Sequence, residues 1–246
     1  MNKIANEQIN SELLTKIKVA AKKNIDSYLE RILSASVEQG NFGMDILDEL
    51  RNHLPATSCD NCGKCCNSIS IFSLEYHRIV RDLMTRWEPA QIRKLFFSAM
   101  RFDLRQAEVG KEKRIRCLFR DEESKLCLIH PVRPFACRIF GLLKEDGTRE
   151  CDKVKDLRHP PRVVTTDMVT SLQGKILENS ESYEVFPNTG KIQFFPFEFW
   201  VYRYLFSPQR ALQIYREILV PMSTPLTQLW QNKQKLPSIS EADYEE

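Results

Sequence analysis

Four cysteines fall within eight residues in the stretch CDNCGKCC, residues 59–66, and the last two, Cys65 and Cys66, are adjacent. Two residues between cysteines let a tight turn aim both sulfurs at one point. Adjacent cysteines in an extended segment point to opposite sides. Cys65 and Cys66 therefore suit two metal environments, or one sulfur bridging two metals, better than a single tetrahedral ion. Four more cysteines follow at wide spacing: Cys117, Cys127, Cys137 and Cys151. All 8 cysteines of the chain lie between positions 59 and 151, and none lies in the flanks. A chain that used cysteine only as a small core residue would scatter it. Eight thiolates supply two four-coordinate sites, or one four-iron cluster with four left over.

Metal is the expected use of these thiols only where they stay reduced. The first twenty residues break every apolar run with Lys, Asn, Gln or Glu, unlike a signal peptide. No run of apolar residues is long enough to span a bilayer, so no membrane association is expected. The reading is a cytoplasmic chain, where clustered cysteines bind metal or react rather than pair as disulfides. A content of 42% apolar and 28% charged residues is that of a folded domain, and a net charge of +3 gives no reason to expect a nucleic-acid partner.

C-x2-C-x2-C is also how the bacterial ferredoxin run opens, but that run continues with C-x3-C-P, and here Cys66 follows instead. A zinc ribbon needs a second C-x2-C, which is absent. Iron–sulfur and zinc both stay open, with the triplet favouring iron weakly. Lys64, Arg133 and Arg138 sit beside the cysteines in sequence and are candidates to bind the cofactor by donating hydrogen bonds to its sulfurs.

Along the chain, Ile9, Leu13, Ile17, Ala21, Ile25, Leu29 and Ile32 recur at helical spacing and predict a helix over 7–38. A second helix is predicted over 44–54, ended by Pro55. ISIF (69–72) reads as a strand, Ser73 as the N-cap of a helix over 74–87, and Pro89 as the opening of a helix to about residue 105. RIRCLF and LCLI, joined by RDEESK, predict a hairpin that brings Cys117 and Cys127 together. RPFACRIFG predicts a short helix closed by Gly141. Helices are expected again from Thr165, with a hairpin around Asn188, Thr189 and Gly190. The fold class is thus mostly α (α+β): helical flanks around a cysteine-rich segment with small β-hairpins. The expected division is an N-terminal helical segment (1–56), the cysteine region (57–160) and a C-terminal helical region (161–246). Seven aromatics crowd FPFEFWVYRYLF (195–206), read as a buried helix packing on the first one.

Together, CDNCGKCC, CLFRDEESKLCLIHPVRPFACRIFG and the final Cys151 resemble the zinc- or iron-chelating cysteine-cluster family of YkgJ type. Its pattern is CxxCxxCC, then C-x-F/L, a short turn, C-x-I-Y and RPxxCR-x-F. Cys59, Cys62, Cys65 and Cys66 match the first block. Cys117, Phe119, Cys127, Ile129, Arg133, Pro134, Cys137, Arg138 and Phe140 match the second. Glu75 stands where the family often has an acidic residue, and His130 stands in place of its Tyr. The likeness covers about 57–155 and implies an iron–sulfur cluster or zinc held by the matched cysteines. Flagellin lysine-N-methylases contain a similar block, so the resemblance also allows a metalloenzyme acting on a protein or peptide. Their S-adenosylmethionine requirement does not carry over, because this chain has no Gly-rich nucleotide loop and only 8 Gly in all. No Ser/His/Asp, Walker or dinucleotide motif appears. His53, His77 and His159 read as structural or surface residues. The two functional classes are a metalloprotein that binds a protein partner and a metalloenzyme. A cleft beside the cluster lined by Glu75, His77 or His130 would favour the second.

Overall fold

The computed structural model describes residues 19, 24–30, 45–55, 57–63, 66, 69–100, 117–151, 153–156, 163–183 and 194–205. It is mostly helical with small antiparallel strands, as the patterning predicts. The described residues belong to two compact units. One draws on Met1–Leu33, Arg93–Ile115 and Glu198–Glu246, and the other on Ser34–Ile92 and Arg116–Phe197. All eight cysteines fall in the second.

In that unit α1 (Asp45–His53) carries acidic residues in its first turn and Arg51 and His53 in its last, complementing the helix dipole. A two-residue strand β1 (Thr57–Ser58) leads into the first cysteine block. Strand β2 (Ser70–Phe72) and helix α2 (Ser73–Arg86) follow, then α3 (Pro89–Met100), of which residues up to Ile92 belong to this unit. The helix predicted from Ser73 starts one residue earlier than expected. Phe72, in extended backbone, takes the cap position, and Ser73 is the first helical residue rather than the cap. The cap comes instead from Glu75, whose Oε2 accepts from the Phe72 N–H at 3.0 Å, the back-reaching half of a capping box.

The predicted hairpin over 114–129 contracts to a single bridge between Arg120 and Cys127. Leu128 N donates to Phe119 O at 2.8 Å and Asp121 N to Leu126 O at 2.9 Å, but the rest of the stretch is turn. Lys125, at φ 61°, and the bonds from Ser124 N and Oγ to Asp121 Oδ1 bend the chain too sharply for two strands. Residues 114–116 lie outside the described set. The chain then forms a 3-10 turn (His130–Val132) and the short helix α4 (Phe135–Ile139), closed by Gly141 at φ +83°. A side chain at Gly141 would meet Cys151 Cβ at 3.0 Å and Val154 at 2.7 Å, so glycine serves both backbone and packing there.

Strand β3 (Lys155–Asp156) returns to pair antiparallel with β1, Thr57 opposite Asp156 and Ser58 opposite Lys155. Helix α5 (Thr166–Tyr183) packs on α1 and α2. Leu50, Phe72, Phe135, Leu172 and Ile176 form the buried core between α1, β2, α4 and α5. Strand β4 (Phe194–Pro196) pairs with β2, so the described end of the hairpin predicted around Gly190 is joined to β2; residues 184–193 lie outside the described set.

In the other unit, residues 24–30 are helical, as predicted, and the remainder of the 7–38 prediction lies outside the described residues apart from Val19. Helix α6 (Phe197–Leu205) holds the aromatic run. Tyr28 stacks on Tyr204 with centroids 5.8 Å apart, and Asn24 Nδ2 donates to Leu205 O at 3.0 Å. The aromatic helix is thus core on the N-terminal helix rather than a ligand wall. The predicted C-terminal helices beyond residue 205 lie outside the described set. No helix of the described residues is long and apolar enough to cross a membrane.

Candidate metal centre

The first cysteine block is a loop shaped by two left-handed residues, Asn61 at φ 54° and Gly63 at φ +78°. Asn61 N donates to Cys59 Sγ at 3.4 Å, and Cys66 N to Gly63 O at 3.1 Å. Backbone N–H groups aimed at sulfur favour the thiolate. Arg120 closes over this loop. Its Nη1 donates to Asn61 O at 3.0 Å and lies 3.9 Å from Cys66 Sγ. A Cβ on Gly63 would stand 2.5 Å from Arg120 Cζ, so the close approach depends on glycine.

Backbone bonds tie the second block to the first. Cys117 N donates to Cys66 O at 2.9 Å, Arg120 N to Cys117 O, and His130 N to Cys127 O at 3.1 Å. From α2, Arg86 Nη2 reaches Leu128 O at 3.0 Å and holds the stretch after Cys127. The thiols then act on one another through space. Burial raises the Cys127 pKa most, and the charges of Cys66 and Cys59 raise it further, while Arg133 opposes them. Cys137 is pushed far above the ordinary thiol range, by burial first and then by Cys117 and Cys127. Five cysteines from three separate segments therefore share one electrostatic neighbourhood. Cys62 is exposed, and Cys151 is buried against Gly141. Cys65 and Lys64 lie outside the described residues. Among the described residues no three Cys, His, Asp or Glu side chains stand together closely enough to hold a metal ion.

This donor set fits a soft or borderline cation. Gathered thiols that disfavour one another's ionisation are the groups a metal relieves, because a coordinated thiol is deprotonated outright. Residues 58–156 match the family model CxxCxxCC, described as "Putative zinc- or iron-chelating domain". That segment is similar to a CxxCxxCC domain. The match begins on β1 and ends on β3, the two strands that pair, so the matched segment is closed at its base by its own ends. No curated protein and no solved structure matches the chain.

Arg133 and Arg138 lie beside a solvent-open cleft rather than inside the cysteine loops. Arg138 Nε donates to Arg133 O at 2.7 Å and its Nη2 to Pro131 O at 2.8 Å. Burial, with Arg51 and Arg133 nearby, lowers the Arg138 pKa to about 10. Glu75 lines the same cleft. It is buried, and its Oε1 accepts from Phe135 N at 2.5 Å. Burial raises its pKa, and the two backbone N–H groups and Arg138 oppose the rise. His130 is exposed and is not among the residues lining the cleft, and its pKa is lowered by burial and then by Arg133, Arg138 and Arg51. His77 is buried on α2, with Tyr76 edge-on at 5.5 Å, and His53 is exposed on α1; His159 lies outside the described residues. Sequence reasoning missed Arg120 and Arg51. A cation three positions after Cys117, facing a glycine in the first block, is a usable signal for Arg120; Arg51 is an ordinary helix-end cation in the sequence.

Proposed function

We propose that the CxxCxxCC domain holds an iron–sulfur cluster, or zinc in its place, through Cys59, Cys62, Cys65, Cys66, Cys117, Cys127, Cys137 and Cys151. The observation that carries this reading is the joining of the two cysteine blocks, where Cys117 N donates to Cys66 O at 2.9 Å and Arg120, three residues on, stands 3.9 Å from Cys66 Sγ. The iron–sulfur form is favoured by the C-x2-C-x2-C triplet. When bound, the centre supplies either a structural staple or a redox-active cluster. This chain's own residues shape its surroundings: Arg120 neutralises the thiolate loop, and Arg133 faces the deeper thiols.

A second reading is a metalloenzyme acting on a protein or peptide. The cleft lined by Glu75, Arg133 and Arg138 on the side of α4 favours it. Anaerobic purification followed by metal and sulfide analysis tests the main reading. Iron and sulfide in stoichiometric amount, with broad visible absorption, are expected. Colourless protein with zinc alone rejects the cluster and keeps the metal site; protein without tightly bound metal rejects both.

A further inference from the structure

We propose that the cleft between α1, α2 and α4 binds the phosphate group of a small ligand, held by Arg51, Arg133 and Arg138. Six charged residues line the cleft: Asp48, Arg51, Glu75, Arg78, Arg133 and Arg138. Four cations meet two carboxylates there, and both carboxylates are engaged. Asp48 takes Arg78 with Oδ1 at 3.0 Å and Oδ2 at 2.9 Å. Glu75 is occupied by the N–H groups of Phe72 and Phe135.

Among the described residues the three other arginines form no salt bridge, and Arg138 feels Glu75 and Asp48 only through space. Arg51 Nη1 and Arg138 Nη2 both donate to a single acceptor, the carbonyl of Pro131, each at 2.8 Å. One neutral carbonyl does not offset two guanidinium charges. Arg133 Nε is buried and has no hydrogen-bond partner. A buried donor left unmet costs stability unless something fills the site. Two positive charges in excess match a dianion better than a carboxylate. Guanidinium forks from separate segments suit a tetrahedral oxyanion, whose oxygens point in several directions. The cavity measures about 30 Å³, roughly the room of two water-sized groups. That seats two oxygens of an oxyanion head and leaves the rest of the ligand in the open part of the cleft.

This inference does not depend on which metal the cysteines hold. Arg133 also acts on Cys127 and Cys137, whereas Arg51 sits on α1, outside the matched domain. Arg51 is therefore the position that separates the two sites. Full-length metal-loaded protein is titrated calorimetrically with inorganic phosphate, with O-phosphoserine and with acetate, ionic strength being held constant with chloride. Saturable one-site binding of phosphate is expected, at least tenfold tighter than acetate. Arg51→Gln is expected to weaken it at least tenfold with metal content unchanged, Arg51→Lys less, and Lys94→Gln, exposed on α3, not at all. Phosphoserine binding as tightly as phosphate marks the head group of a larger ligand, and weaker binding marks the free ion; both support the site. Acetate binding as well as phosphate, or Arg51→Gln binding as tightly as the parent, overturns the proposal. A readout free of substitutions is the melting temperature: phosphate raises it and acetate at equal ionic strength does not. Absence of that rise also overturns it.

Discussion

At Gly63 two demands meet in one residue. The backbone sits at φ +78°, and the space a side chain would take is filled by the Arg120 guanidinium. Gly147 has nearly the same backbone, φ +76°, with open space around it. Gly147→Ala is therefore expected to cost only the left-handed penalty, about 1 kcal/mol, with metal content unchanged. Gly63→Ala adds displacement of Arg120 from Asn61 and Cys66, for a total of about 2 kcal/mol and a measurable drop in bound metal. Denaturation midpoints and metal analysis of the two variants side by side check the difference. A second residue-level outcome concerns Asp121. The side-chain and backbone hydrogen bonds from Ser124 hold its pKa below the ordinary aspartate value. A lowered carboxylate pKa means the contribution is present above the ordinary value and fades as pH falls through the lowered one. Ser124→Ala is expected to return the Asp121 titration toward the ordinary range, followed by carboxyl-carbon NMR. An unmoved titration would show that the Ser124 hydroxyl is not the cause.

Between elements, Glu75 is the joint. One oxygen caps α2 at Phe72 and the other caps the start of α4 at Phe135, sixty positions later in the chain. Glu75→Ala leaves two buried backbone N–H groups unmet and is expected to lower unfolding free energy by about 3 kcal/mol, read by chemical denaturation. It also loosens α4, which carries Cys137. A variant as stable as the parent would mean that water takes both bonds. The sequence places Glu75 near the positive end of a helix, but α4 as its second partner is a tertiary fact without local signature. Elements with strong periodicity were legible: α1, α2, the aromatic helix α6, and α4 with its closing Gly141. The pairing of β1 with β3 was not, because two residues carry no alternation to read. Of the small hairpin expected over 114–129, the described residues form the tip, with Arg120 bridged to Cys127. Its apolar residues satisfy the strand pattern, and among the described residues the Asp121–Ser124 turn and left-handed Lys125 leave one bridge. The cysteine constellation was legible because its spacing is itself the chemistry. Arg51 was not, since a helix-end arginine looks the same whether it faces water or a phosphate.

Across the whole molecule the cysteines are confined to one of the two units. Every cysteine lies within Ser34–Ile92 or Arg116–Phe197, whereas Tyr28, Phe96, Trp200 and Tyr204 lie in the other unit. Tyr28 and Phe96 are 5.7 Å apart there, and Trp200 and Tyr204 6.3 Å, so an aromatic core exists that owes nothing to thiolate ligation. The cysteine loops have less: among their described residues only Phe119, edge-on to Phe197 at 4.8 Å, is buried in the core. Residues 59–66 and 117–127 are joined by few backbone bonds and one arginine, and they gather thiols that raise one another's pKa. Where apolar burial is thin, metal affinity becomes folding free energy. Chelation under reducing conditions is therefore expected to remove hydrogen-exchange protection from the 58–156 domain first, at temperatures where amides of α6 stay protected. Cys59→Ala and Cys62→Ala are expected to reproduce that pattern without chelator. Equal loss of protection in both units would mean that they unfold as one, and unchanged protection in the domain would mean that the metal is not what holds it.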